Sequence, residues 1–322
     1  MKILSAALAT AGAFALALAG AAPAMAAGRD IDPGDSMYTI SCDALVDDYN
    51  DWQFMSVAAA TAVSTPIGDG TGNQDLASCA NQPAYDASTG KSYYVQLTFD
   101  GESSHWALAS VNVTTGASAT IAEFLFENGE FPTLVRIDAI AIAPNGTAYA
   151  IGDGTLWSLD LTNATVEPIG ETLSAQAFAS DPRTGEFYAI EYGGDVYSFD
   201  DIANSGAVTF VGSITHPDLD LDGDVTGVRA LQIDGGGTFW IVVDTREGFS
   251  DLWSFTPATL TSPVLSGLLT DDPFFSQALL IIPGAALAAT GADLSLAPYL
   301  AGGAALAVIA GGAVLLIRRR RA

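Results

Sequence analysis

Between Arg29 and Pro283 apolar and polar residues alternate over short runs, and no useful length keeps the spacing of an amphipathic helix. The pattern predicts strands. One unit recurs, an apolar-x-Ser-apolar core: Phe54-Met55-Ser56-Val57, Leu108-Ala109-Ser110-Val111, Leu156-Trp157-Ser158-Leu159, Val196-Tyr197-Ser198-Phe199 and Leu252-Trp253-Ser254-Phe255. The first and third copies run, at the same offset, into Pro66-Ile67-Gly68 and Pro168-Ile169-Gly170. Upstream of the later four copies lies a strand, a turn and a strand, as in residues 140–150, 178–189, 231–241 and 85–95. Every one of these turns holds Gly, often after Pro, Asn or Asp, where a hairpin needs positive φ.

Successive copies start 54, 48, 40 and 56 residues apart, which brackets one four-stranded blade of a β-propeller. The second complete unit predicts strands over 137–143, 147–152, 156–161 and 165–169. The first copy lacks an inner strand: Met37 to Ile40 supplies its second strand and Trp52 to Val57 its third. An unpaired apolar strand, Ser276 to Ile282, follows the last copy. Pairing it with Met37 to Ile40 completes a blade from both chain ends and removes two free edges. The fold class expected is therefore all-β, a propeller of five blades of four antiparallel strands closed by both chain ends. A sixth blade around Asp218 and a pair of β-sandwiches are the competing architectures.

The flanks read differently. Lys2 and the apolar run Ile3 to Ala19 lead to Ala24-Met25-Ala26, the small-x-small form that signal peptidase reads, so a signal helix over 1–26 is expected, cut before Ala27. Ala22-Pro23-Ala24 is a second such site. At the other end Leu287-Ala288-Ala289-Thr290-Gly291 precedes an apolar stretch, Leu294 to Ile317, and a basic tail, 318–322, with Arg318 to Arg321. As a helix the apolar stretch would rise about 36 Å, enough for a hydrocarbon core of about 30 Å. Four arginines behind it would stop transfer and leave 27–286 outside the cell as a displayed domain.

Leu-Ala-x-Thr-Gly, then a span, then a basic tail resembles the cell-wall sorting signal of sortase substrates in Gram-positive bacteria. Ala288, where the more familiar form has Pro, resembles the variant used by class E sortases of high-GC actinobacteria. The resemblance covers about the last 35 residues. It implies that a sortase cysteine attacks the Thr290 carbonyl and releases Gly291, and that an amine of the peptidoglycan peptide then takes the acyl group. The partners implied are signal peptidase, a sortase, wall peptidoglycan and an unidentified extracellular ligand of the displayed domain.

Charge narrows the ligand class. From Ala27 to Thr290 six positive residues stand against 36 acids, a net charge of −30. Nucleic acid is excluded, since phosphate binding needs a basic face. Lys91 is the only lysine there. The sharpest candidate site is Asp218-Leu219-Asp220-Leu221-Asp222-Gly223-Asp224, whose alternate carboxylates resemble the first half of an EF-hand-type calcium loop and the calcium loops of some propeller repeats. Thr226 and Arg229 occupy its ninth and twelfth positions, where Arg229 replaces the closing bidentate Glu. No catalytic constellation stands out, His105 and His216 being the only histidines and neither lying in a zinc or nucleophile motif. The function expected is a wall-anchored module for binding or adhesion. A wall-attached polysaccharide hydrolase or lyase, for which two carboxylates about 5–10 Å apart in an axial pocket would favour glycoside chemistry, and a structural wall protein without a specific ligand are the alternatives.

Cys42 and Cys79 both fall in the exported part and read as one disulfide in an oxidising compartment. Closing that loop would contribute about 3–4 kcal/mol in the chain-entropy picture. Mass analysis of the exported protein without reductant is expected to show the two joined, and two free thiols would overturn the assignment.

Overall fold

The computed structural model describes residues 29–42, 52–68, 81–99, 104–128, 131–219, 221, 227–245, 249–269 and 276–284. They form a five-bladed β-propeller. The first blade contains β1 (Ser36–Cys42), β2 (Trp52–Ala58) and β3 (Val63–Pro66). The second contains β4 (Asn81–Asp86), β5 (Lys91–Phe99), β6 (Ser104–Val111) and β7 (Ser118–Glu123). A hairpin follows, β8 (Leu125–Asn128) and β9 (Phe131–Leu134), and then the third blade, β10 (Ala139–Ile142), β11 (Ala148–Gly152), β12 (Thr155–Leu159) and β13 (Thr165–Glu171). The fourth is β14 (Ala177–Ser180), β15 (Phe187–Ile190), β16 (Asp195–Phe199) and β17 (Val208–Ser213). The fifth is β18 (Gly227–Ile233), β19 (Phe239–Asp244), β20 (Ser250–Phe255) and β21 (Val264–Leu268), and β22 (Ser276–Ile282) returns to the first.

The repeat read from the sequence is the repeat of the fold. Each apolar-x-Ser segment is the third strand of its blade, and each Ser faces a fourth-strand residue in register: Ser56 with Thr65, Ser110 with Ala119, Ser158 with Glu167, Ser198 with Thr209, Ser254 with Val264. In two blades the hydroxyl donates to that partner's carbonyl, Ser56 to Thr65 at 3.3 Å and Ser158 to Glu167 at 3.4 Å. The described residues around Asp218 add no strand to a blade; they lie between β17 and β18. Missed in the sequence was the β8–β9 hairpin, whose β8 runs parallel to β13 and extends the third blade to six strands.

Closure is made by the two ends of the domain. β22 lies antiparallel to β1, Met37 opposite Ile281 and Thr39 opposite Leu279, so it becomes the inner strand of the first blade. Thr39 Oγ1 donates to the Ala278 carbonyl at 2.7 Å, a buried bond between residues 239 positions apart. The inner strands β22, β4, β10, β14 and β18 then pack each against the next around one axis. Two glutamines tie the ring across that axis. The buried Gln82 amide of β4 donates to the Leu231 carbonyl of β18 at 2.5 Å and accepts from the Leu231 N–H at 3.1 Å. Gln232 returns a bond to the Pro83 carbonyl at 2.8 Å. An inner strand is paired on its outer side alone, and backbone groups on its axial edge are satisfied in this way.

A carboxylate fastens the seam. Asp35 accepts the Gly284 N–H at 2.8 Å and the Gly235 N–H of the fifth blade at 2.7 Å. Burial pushes its carboxyl pKa up, with Asp32 and Asp234 adding to the rise and the two N–H donors opposing it. Glycine is required here by contact, because a Cβ on Gly284 would stand 2.4 Å from the Gly34 carbonyl oxygen. At the inner turns Asp86, Asp181 and Asp234 are buried and bond the turn that follows each; Asp234, for example, accepts from the Gly236 and Thr238 N–H groups and the Trp240 indole.

Leu279, Leu280, Ile281 and Ile282 are fully or almost fully buried. At about 1.5–3 kcal/mol each, their burial is comparable to the whole stability of a domain, about 5–15 kcal/mol. A chain ending at Phe275 is therefore expected to show no cooperative thermal transition, whereas one ending at Ala286 melts like the longer protein. Asp35→Ala strands two N–H groups and is expected to lower stability by about 1–3 kcal/mol, read from denaturant unfolding; an unchanged midpoint would show that the seam does not depend on it.

Candidate binding surfaces

The sorting motif, Leu287 to Gly291, lies outside the described residues, as do Cys79, the Cys42 side chain, Asp220, Asp222 and Asp224. So does the apolar stretch 294–317; among the described residues no helix is long and apolar enough to cross a membrane. Cys42 closes β1 opposite Trp52. Of the aspartate loop, Asp218 is described: it is exposed, its N–H donates to His216 Nδ1 at 3.2 Å, and its carboxylate lies 3.8 Å from that nitrogen. Leu219 and Leu221 turn the other way and pack on the cluster that holds Val196, Ile214 and Trp253. The His216 ring rests against Trp253, 5.1 Å between centroids. The alternation seen in the sequence thus has an apolar side that anchors the segment.

The face at which the inner strands begin carries two of the rare cations, and both are engaged. Arg136 bonds Asp138 at 2.8 Å and lies 5.9 Å over the Trp106 ring. Arg229 bonds Asp244 and Gln176 and lies 4.7 Å over Tyr192. Burial raises the pKa of both carboxyls, and each arginine opposes the rise. These pairs satisfy buried acids; they leave little free charge for an anionic ligand.

The face at which the inner strands end holds an axial pocket of about 240 Å³. Ala84, Ile142, Phe178, Ile233 and Ile281 bring one side chain from each inner strand, and Pro144, Pro182 and Pro283 rim it. Among the described residues no carboxylate lines it, and the pair of acids a glycosidase needs is not brought together by them there.

A larger groove, about 1360 Å³, opens between the second and third blades. Its origin lies in how the blades meet. At four junctions a glycine after or within the fourth strand lets the backbone approach the next blade's outer turn. A Cβ on Gly68 would stand 2.2 Å from the Thr115 carbonyl oxygen; one on Gly206, opposite Gly170, 2.3 Å from that of Glu171; one on Gly267, 3.0 Å from that of Thr61. Gly212 faces the Leu260 side chain, whose Cδ1 a Cβ there would meet at 2.7 Å. In the second blade the position opposite Leu108, matching Gly170 opposite Leu156, is Ala122. The chain then reaches the third blade only at Leu125, whose N–H donates to Ala164 at 3.3 Å. A side chain replaces bare backbone, and the junction stands open.

No family model matches the chain, and no curated protein matches it. Among solved structures it is similar to TolB from Acinetobacter baumannii (14% identity, 71% of this chain and 52% of that one, TM-score 0.41). It is also similar to hydrazine synthase of Kuenenia stuttgartiensis (15% identity, 59% and 48%, TM-score 0.34). An auxiliary nutrient binding protein from Bacteroides thetaiotaomicron is a third (12% identity, 74% and 51%, TM-score 0.37). The chain spans about half the length of each. The fold assignment rests on the chain's own sheet order, and no site is carried over from these proteins.

Proposed function

We propose that this chain is exported, joined to wall peptidoglycan by a sortase, and displays its propeller as a binding module. The observation that carries the reading is where the ring ends. β22 completes the first blade at Ile282, Gly284 is bonded to Asp35, and the Leu-Ala-x-Thr-Gly motif begins three residues further on. A sorting motif must be reached by an enzyme cleft, and here it follows immediately on the last strand that the fold requires. The sortase thiolate attacks the Thr290 carbonyl carbon, the bond to Gly291 breaks, and a peptidoglycan amine displaces the thiolate to form an amide. Residues 285–290 would then tether the domain within about 20 Å of the wall peptide.

Binding is favoured over hydrolysis by the apolar lining of the axial pocket. Asp86, at the edge of the groove, is also poorly placed to act as an acid. Burial alone would raise its pKa, but hydrogen bonds from Ser88 and Thr89 outweigh that and lower it.

Thr290→Ala is expected to move the protein from the wall fraction to membrane or medium, as is removal of Arg318 to Ala322. A Thr290→Ala protein that still resists extraction of walls with boiling detergent would overturn the sorting mechanism.

A further inference from the structure

We infer that the groove between the second and third blades is a binding site for a neutral oligosaccharide. The groove is specific to one junction. The other four close through glycine, whereas here Ala122 and the inserted β8–β9 hairpin hold the outer strands apart. Its volume of about 1360 Å³ exceeds the usual range of small-molecule pockets, about 300–1,000 Å³, and its walls are the hairpin turns and adjoining strand ends of the two blades, so a ligand of several linked rings fits it.

The lining has the chemistry of a sugar. Hydroxyls of Ser110 on one wall and Ser158 and Thr162 on the other alternate with the partly buried apolar side chains of Val113, Ile121 and Leu161. Sugars present the same alternation of hydroxyls and C–H faces. Lower in the groove the Ser92 hydroxyl is buried without a hydrogen-bond partner. Three carboxylates line the groove: Asp86 is already bonded to Ser88 and Thr89, Asp160 and Glu167 are exposed acceptors, and Lys91 is the one cation among the described lining residues. With three carboxylates lining it in a region of net charge −30, a phosphate or uronate polymer is repelled, while sugar hydroxyls can donate to Asp160 and Glu167.

The groove opens beside the turns where the inner strands end, which is also the face that Gly284 leaves. If the sorting reading holds, on which this step alone rests, that face is turned to the wall, whose glycan strands have the required chemistry. The binding itself does not depend on anchoring.

The test uses residues 27–286, since the closed ring is complete within them. Chitotetraose and maltotetraose are titrated by calorimetry, with polyphosphate as the anionic arm. Saturable binding of at least one tetrasaccharide is expected. Ala119→Trp and Thr162→Trp, exposed positions on opposite walls, are each expected to weaken it at least tenfold, and Val211→Trp on the fourth blade to leave it unchanged. Thermal melts establish that each variant is folded, and either groove variant alone decides the question if the other is not. Preference for chitotetraose points to wall glycan as the source, and preference for maltotetraose to an environmental glucan. Binding of neither sugar, of polyphosphate alone, or with equal affinity in every folded variant would overturn the site. Sorting is read separately from Thr290→Ala, so either idea can fail without the other.

Discussion

The backbone pairing of β22 with β1 is the constraint on which the remainder of this molecule depends. A propeller blade packs only on its two neighbours, so an open arc would expose two apolar blade faces and leave inner-strand groups unpaired. Joining residues 239 positions apart costs little more entropy than joining nearer ones, because closure cost grows only with the logarithm of loop length. Once β22 is paired with β1, every inner strand has two neighbours, and Gln82 and Gln232 can bond across an axis of fixed width.

The second principle is economy of backbone distance. Where one blade's last strand meets the next blade's outer turn, the absence of a side chain decides whether the interface closes. Gly68 and Gly170 sit at the same offset from their apolar-x-Ser cores, and Ala122 occupies that offset in the second blade. One methyl group, together with a short inserted hairpin, separates four tight junctions from one open one.

Much of this was legible in the chain. Strand alternation, five copies of one core and an orphan apolar strand specified the ring, its closure and the strands of the third blade; β10 to β13 fall within a few residues of the spans read from the pattern. Five blades rather than six follows from Leu219 and Leu221 being anchors of a connecting segment. The β8–β9 hairpin escaped because Leu-Phe-Glu-Asn and Phe-Pro-Thr-Leu are short and occur once, so no repeat flagged them. The groove escaped for a related reason: Ala122 is informative only when set beside the glycines of the other blades, and its effect is steric, expressed in an interface the sequence does not display. The roles of Asp35 and Gln82 are equally invisible in one dimension, since both bond residues far along the chain.

The placement of Gly284 has a mechanical consequence. In a chain held at its C-terminal side, a pull on the domain would be carried to the point of attachment through β22, along the axis of that strand. Antiparallel hydrogen bonds lie perpendicular to the strand, so such a load shears the rungs to β1 together instead of peeling them one at a time. The Asp35 bond to Gly284 is the first link in that line. The strand that closes the ring would therefore also be the one that bears the tension, and the direction of pull would be the one in which the pairing is strongest.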